Sequence, residues 1–190
     1  MSASRKPSLH DLSRLLPTAN ELEDIITKID EAEPRAAALV LSSLVDGLLE
    51  IAIDLNFIAL GKDKHVAIFR DRAAPLSSFS AKIIIAHAMG IIDSEFASQL
   101  DKLRTIRNAF AHAVKQIDFD NEAVAAGCQK LSPQRLMKAT YQPETDSPRE
   151  RFTVVGTFAA RHLIEYCLFR TRKIKDGSWP LPSPFRGKFG

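Results

Sequence analysis

Apolar residues recur at three- and four-residue steps along nearly the whole chain, and no stretch alternates with the period of two that a half-buried strand needs. The pattern predicts an all-α fold, a single antiparallel helical bundle. Leu9 to Leu16 reads as a short helix ended by Pro17. Glu21 to Ile29 reads as a second, with Asn20 as N-cap and Leu22, Ile25, Ile26 and Ile29 on one side. Pro34 suits the first turn of the next helix and Gly61 the position past its end, so Pro34 to Leu60 reads as one helix about 40 Å long. It is apolar nearly all round, as a helix with neighbours on most sides must be, and is expected at the centre.

Residues 61–75 read as a charged connector. Ser77 or Ser78 caps a helix ending at Gly90, and Asp93 or Ser94 caps one that runs to about Val114. Asp120 caps a shorter helix over Asn121 to Leu131, and Ser132 to Asp146 reads as a polar, proline-bearing loop. Ser147, Pro148 and Glu150 have the spacing of a capping box. They open a last helix, to about Ile174, that is expected to bury Val154, Val155, Phe158, Leu163, Ile164, Cys167 and Leu168. Residues 1–175 thus read as a single helical domain. Residues 176–190 read as an irregular basic tail rich in proline and glycine, either disordered or laid over the body through Trp179, Phe185 and Phe189.

At 190 residues the chain is long enough to bury a core without disulfides or metal. Cys128 and Cys167 lie far apart with no CxxC or Cys/His cluster, so no metal or disulfide framework is indicated, and a reducing, cytoplasmic setting is expected. Met1 to Lys6 leads into Pro7, His10 and Asp11 and not into the apolar core of a signal peptide. Ala36 to Leu60 approaches the length of a membrane span, but Asp46, Glu50 and Asp54 interrupt it, so no membrane association is expected. The net charge of +3 is too small to argue for nucleic acid. Its distribution is uneven, since residues 148–190 carry nine Lys/Arg against three acids.

Two groups of polar residues need an explanation. Asp46, Glu50 and Asp54 fall at i, i+4 and i+8 on the apolar central helix, a single acidic stripe whose candidate partners are Lys82, Arg104 and Arg107. Lys82 sits among Phe79, Ile83, Ala86 and Met89, and Arg107 borders the apolar stripe of its own helix. A guanidinium there must find an anion, because an unpaired one would cost several kcal/mol. Bundle salt bridges are therefore the first reading. The second is chemical, with His112 as general acid or base, Arg107 steadying a phosphorane charge and Asn108 orienting either. Five residues separate Arg107 from His112, which puts them about 140° apart on a regular helix. Convergence then needs a distorted helix, a curled arginine or a second subunit.

The run Ala74-Pro75-Leu76-Ser77-Ser78-Phe79-Ser80-Ala81-Lys82-Ile83, then Ala86, the turn Met89-Gly90-Ile91-Ile92, and Leu103-Arg104-Thr105-Ile106-Arg107-Asn108-Ala109-Phe110-Ala111-His112 together resemble the mannitol operon repressor (MltR) family. Leu44-Val45-Asp46-Gly47-Leu48-Leu49-Glu50 matches its pattern too, so the resemblance spans about residues 34–125. It implies a self-associating helical bundle, a homo-oligomer, with a role in transcriptional control of sugar-alcohol uptake genes. The Arg-Asn-x-x-x-His run is also similar to the motif of HEPN domains, many of them metal-independent ribonucleases whose sites form at a two-fold dimer interface. Carried over, Arg107 and His112 would be the catalytic pair, with Asn108 in support and RNA as substrate.

No short helix presents the row of arginine, lysine, asparagine and glutamine that reads a major groove, so direct DNA binding is not expected. The preferred reading is a regulator acting through a protein partner, with no catalytic residues and no cofactor or metal. Its polar cluster comprises Asp46, Glu50, Lys82, Arg104, Arg107, Asn108 and His112. The alternative is the HEPN-like ribonuclease, and a DNA-binding basic C-terminus ranks third.

Overall fold

A computed structural model describes residues 15–57, 60–137 and 147–175, and these are all-helical. In chain order the helices are α1 (Ala19–Glu31), α2 (Pro34–Asp54), α3 (Lys62–Phe69), α4 (Phe79–Ala88), α5 (Ser94–His112), α6 (Glu122–Gln129), α7 (Pro133–Met137) and α8 (Pro148–Lys175). Of the helix expected over Leu9–Leu16 only Leu15 and Leu16 are described, and they are not helical. The expected tail, 176–190, lies outside the described residues.

Local chemistry explains where the helices begin. α1 is capped by Thr18 and not by Asn20: the Thr18 hydroxyl accepts from the Glu21 amide at 3.3 Å, and the Glu21 carboxylate accepts from the Thr18 amide at 2.8 Å. Thr18 and Asn20 each have a glutamate three residues on, and the reciprocal box forms at Thr18 with Glu21. Those hydrogen bonds hold the Glu21 carboxyl below its usual range. Ser78 caps α4, Asp93 caps α5 and Ser147 caps α8, each accepting an amide of the first turn. Asn121, not Asp120, caps α6. Gly90, at φ 70°, makes the left-handed turn between α4 and α5.

Helix ends depart further from the sequence pattern. α2 stops at Asp54 and not at Leu60, because the Asn56 side-chain amide donates to the Ala52 carbonyl at 2.8 Å and the next two amides fall back to three-residue bonds. The apolar period runs on through Phe57, so it could not mark this stop. Within the expected connector 61–75 lies α3, which buries His65 and Phe69, and the short α7 lies within the expected loop after α6. α5 ends at His112, leaving Val114 fully exposed and not on the apolar side. Leu168 is likewise exposed.

α2 is the central helix. Ala37, Ala38, Leu41, Val45, Leu48, Leu49, Ala52 and Ile53 are buried around its circumference, and it packs on α1, α4, α5 and, most extensively, α8. By length and composition it could cross a bilayer, yet more than half of its apolar window is covered by the other helices. α5 runs antiparallel to α2, since Arg35 near the start of α2 donates to the Ala113 carbonyl at the end of α5. α8 runs parallel to α2: Leu41 meets Gly156, and Leu55 meets Arg170.

A Cβ on Gly156 would lie 2.5 Å from a Leu41 methyl, so this glycine sets how closely the two longest helices approach. A Phe110–Phe119–Phe152 series, with centroids 4.9 and 5.4 Å apart, ties α5 to α8. Arg149 donates to the carbonyls of Ile29, Asp30 and Ala32, closing the C-terminal end of α1 onto the start of α8.

The two helical glycines of this pair should answer oppositely to alanine. Gly156→Ala forces overpacking worth about 1–3 kcal/mol, only partly offset by helix propensity. Gly47, whose Cβ would meet nothing within 4 Å, should gain up to about 1 kcal/mol as alanine. Urea midpoints check both; a Gly156→Ala midpoint at or above wild type would contradict the close crossing.

Candidate functional site

One turn before the end of α2 the apolar surface is interrupted by a carboxylate buried to within a few per cent. Glu50 Oε2 accepts from Lys82 Nζ of α4 at 2.8 Å, and Glu50 Oε1 accepts from Arg70 Nη2, just past α3, at 2.7 Å. His65 Nε2 of α3 stands 3.9 Å from the same Oε1, its ring 4.7 Å from that of Phe69. Lys82 also reaches Asp46 Oδ1 at 2.9 Å. The charges therefore alternate in the order Asp46, Lys82, Glu50, Arg70. The inner two side chains are 4% exposed, the outer two 30% and 38%.

Position along the helix produces this arrangement. Asp46 and Glu50 are one turn apart on one face of α2, and a lysine stem is long enough to run along apolar surface and place its ammonium between them. Burial pushes the Asp46 carboxyl above its ordinary value of 3.8; Lys82 pulls it back, Glu50 adds to the rise, and Arg107 opposes it more weakly. Burial also pushes both thiols up to about 12, which leaves Cys128 and Cys167 without nucleophilic character. Among the described residues no three of His, Cys, Asp and Glu converge as a metal site requires.

Of the cations expected to answer the acidic stripe, Lys82 does. Arg104 does not: it turns back on its own helix to Asp101 at 2.8 Å. Nor does Arg107 form the expected ion pair. Its Nη1 donates to Asn108 Oδ1 at 3.1 Å, and Asp46 feels it only through space. α2 and α5 pack against each other, and Val45 and Leu103 are fully buried. Arg107 is half-buried. α5 is unbroken from Ser94 to His112, so Arg107 and the exposed His112 keep their separation of about 140° within one chain.

Two members of the charge cluster, His65 and Arg70, escaped the sequence reading, because both sit in what looked like a connector. The available signal was the spacing of His65 and Phe69, one helical turn apart on the buried side of a short helix.

No family model matches the chain, and no curated protein matches it. Among solved structures, the X-ray structure of the MtlR–HPr complex from Escherichia coli matches with a TM-score of 0.52 over 79% of this chain and 98% of that chain, at 14% identity. The likeness is one of fold.

Lys82→Met should cost about 3–5 kcal/mol at neutral pH, the scale of a buried pair broken from one side. Arg107→Ala should cost only about 1 kcal/mol, as for one ordinary hydrogen bond. The Lys82→Met deficit should shrink as pH falls, because the variant loses the attraction that lowers Asp46 and takes up a proton there more readily. In the native chain the folded Asp46 carboxyl is raised, so stability relative to Asp46→Asn should fall as pH rises from about 3.8 through the raised value. Denaturant titrations across pH 3–7 test the sign; a deficit that grows on acidification would refute the assignment.

Proposed function

We propose that this chain is a regulatory helical bundle of the mannitol operon repressor (MltR) type that works by binding a protein partner. The observation that carries the reading is the likeness of its fold to a chain of the MtlR–HPr complex, together with the ordered sequence blocks over residues 34–125. By that analogy HPr is the partner to test. Control of a sugar-alcohol operon, self-association and a cytoplasmic setting are parts of the same proposal.

The basic C-terminal region favours the protein-partner version over direct DNA binding. Arg149 is bound to carbonyls, Arg151 donates to the Leu131 carbonyl, and Arg170 is buried against the Leu55 carbonyl. Arginines committed inside the fold are not available to phosphates.

One observation favours the second reading, a metal-independent ribonuclease. Arg107 is in no ion pair among the described residues and lies beside Asn108, one turn before an exposed histidine. With α5 unbroken, such a site would need Arg107 to curl round the turn toward His112, or a second subunit to supply one of the two.

Titrating HPr into the full chain by calorimetry should give saturable binding with a dissociation constant of about 10 μM or tighter, while promoter DNA is not retarded at low salt. Absence of heat with HPr, combined with salt-sensitive retardation of the DNA, would reverse the preference. For the second reading, RNA incubated without divalent metal should be cut by the native chain and spared by His112→Ala; equal outcomes for the two remove it.

A further inference from the structure

α2 is enclosed on most sides, yet one strip of it is left uncovered by the described helices. Val40 is 49% exposed, and Leu44, Gly47 and Ile51 are only partly buried. Steps of four, three and four residues put them on one line down the helix, the repeat by which a helix receives an apolar neighbour. On a helix whose other faces are packed, such a strip marks a docking surface.

Two open hollows of about 350 and 380 Å³ meet along this strip, sharing Leu15, Pro17 and Leu44. The first extends over Gly47, Leu48 and Ile51 to the charged side chains of Asp46, Glu50, Arg70 and Lys82. The second extends over Ile25, with Glu21, Asp24 and Lys28 of α1 at its rim. The groove they form is therefore mixed, an apolar line with polar side chains along it. On the α1 side the polar rim is acidic, since α1 as a whole carries five acids against Lys28 alone. A fitting occupant is amphipathic and basic.

The chain supplies such a segment at that place. Leu15, 66% exposed, stands in both hollows, so residues 1–14 set out from within the groove. They hold Leu9 and Leu12, and Arg5, Lys6 and Arg14 against Asp11, three bases to one acid. Reach is no obstacle in any conformation. Leu12 lies within about 10 Å of Leu15, and Leu9 within about 20 Å, while Leu44 and Ile51 are about 10 Å apart along α2. Tethering favours this occupant over a second copy, because a segment attached at the groove is present there at an effective concentration on the order of mM. We propose that residues 1–14 fold back over the open strip of α2, with Leu9 and Leu12 against Leu44 and Ile51 and the basic side chains toward the acids of α1. They form a built-in cover that any partner for this face must displace. The inference does not depend on HPr being that partner, and failure of HPr to bind leaves it standing.

Thiol labelling of the full chain tests the cover. Gly47→Cys places a thiol on the strip, where its Cβ meets no described neighbour. Cys128 and Cys167 are fully buried, so their silence toward a maleimide reports that the fold is intact. Replacing Leu9 and Leu12 together by serine should speed labelling of Gly47→Cys by at least about tenfold, as for a cover open in a tenth of molecules or fewer. The rate at Val114→Cys, a fully exposed position on another face, should not change. An unchanged rate at Gly47→Cys would overturn the proposal, and so would protection that fades on dilution, the mark of a second copy on the strip. Leu12→Cys combined with Gly47→Cys gives a second measurement. A short bis-maleimide should join the two thiols within one chain; cross-linked dimers in their place, or no cross-link, would count against the cover.

Discussion

Glu50 is a carboxylate on the buried surface of the long central helix, one turn before its end, and its burial is tolerable only because other segments bring partners to it. Lys82 comes from α4, Arg70 from the end of α3, and His65 from within α3. The desolvation of each ion costs several kcal/mol, so the cluster adds little net stability. What it adds is discrimination. An apolar face of α4 could slide along α2 in several registers at similar cost, whereas only one register lets Lys82 lie between Asp46 and Glu50. The same holds for α3, a short helix with two buried side chains and therefore little apolar area to fix its place.

This division of labour explains which parts of the fold were legible in the residues. α2 was visible as central because it is apolar on every side, and the starts of α4, α5 and α8 were visible because Ser78, Asp93 and Ser147 are local signals for local hydrogen bonds. The end of α2 was not legible. Its apolar period continues past Asp54, and the stop depends on the Asn56 amide, which is also hydrogen-bonded to the Tyr166 hydroxyl of α8 at 2.8 Å. α3 was hidden for a related reason. It begins at Gly61 with no capping side chain and opens on charged residues, so nothing in its first turn distinguishes it from a loop.

The polar residues divide along the same line. Lys82 was recognisable as a partner of the acidic stripe because its neighbours on α4 are apolar, which leaves a lysine few other places to put its charge. Arg107 looked equivalent by the same pattern, and the expectation that it neutralises the central acids fails on geometry. Its guanidinium donates to the neighbouring Asn108, and it reaches Asp46 only through space. A one-dimensional pattern says that a charge borders the core; it does not say which side of the border the charged tip takes. Arg104 shows this in its simplest form, choosing Asp101 three residues back over any acid across the helix pair.

Asp46 is where the two polar centres meet. Its carboxyl is one end of the alternating series in the groove, and it is also the acid that feels Arg107. An electrostatic coupling of this kind acts equally in both directions. A cation brought to Asp46 from the groove side would lessen the pull of that carboxylate on Arg107, and a phosphate or carboxylate drawn to Arg107 would lessen the hold of Arg107 on Asp46. Lys82 contributes more than Arg107 to the state of Asp46, so the coupling is weaker than the Lys82 interaction. It nevertheless has a physical route that needs no movement of the bundle: one carboxylate on α2, shared between a hollow on one side and the Arg107–Asn108 face of α5 on the other.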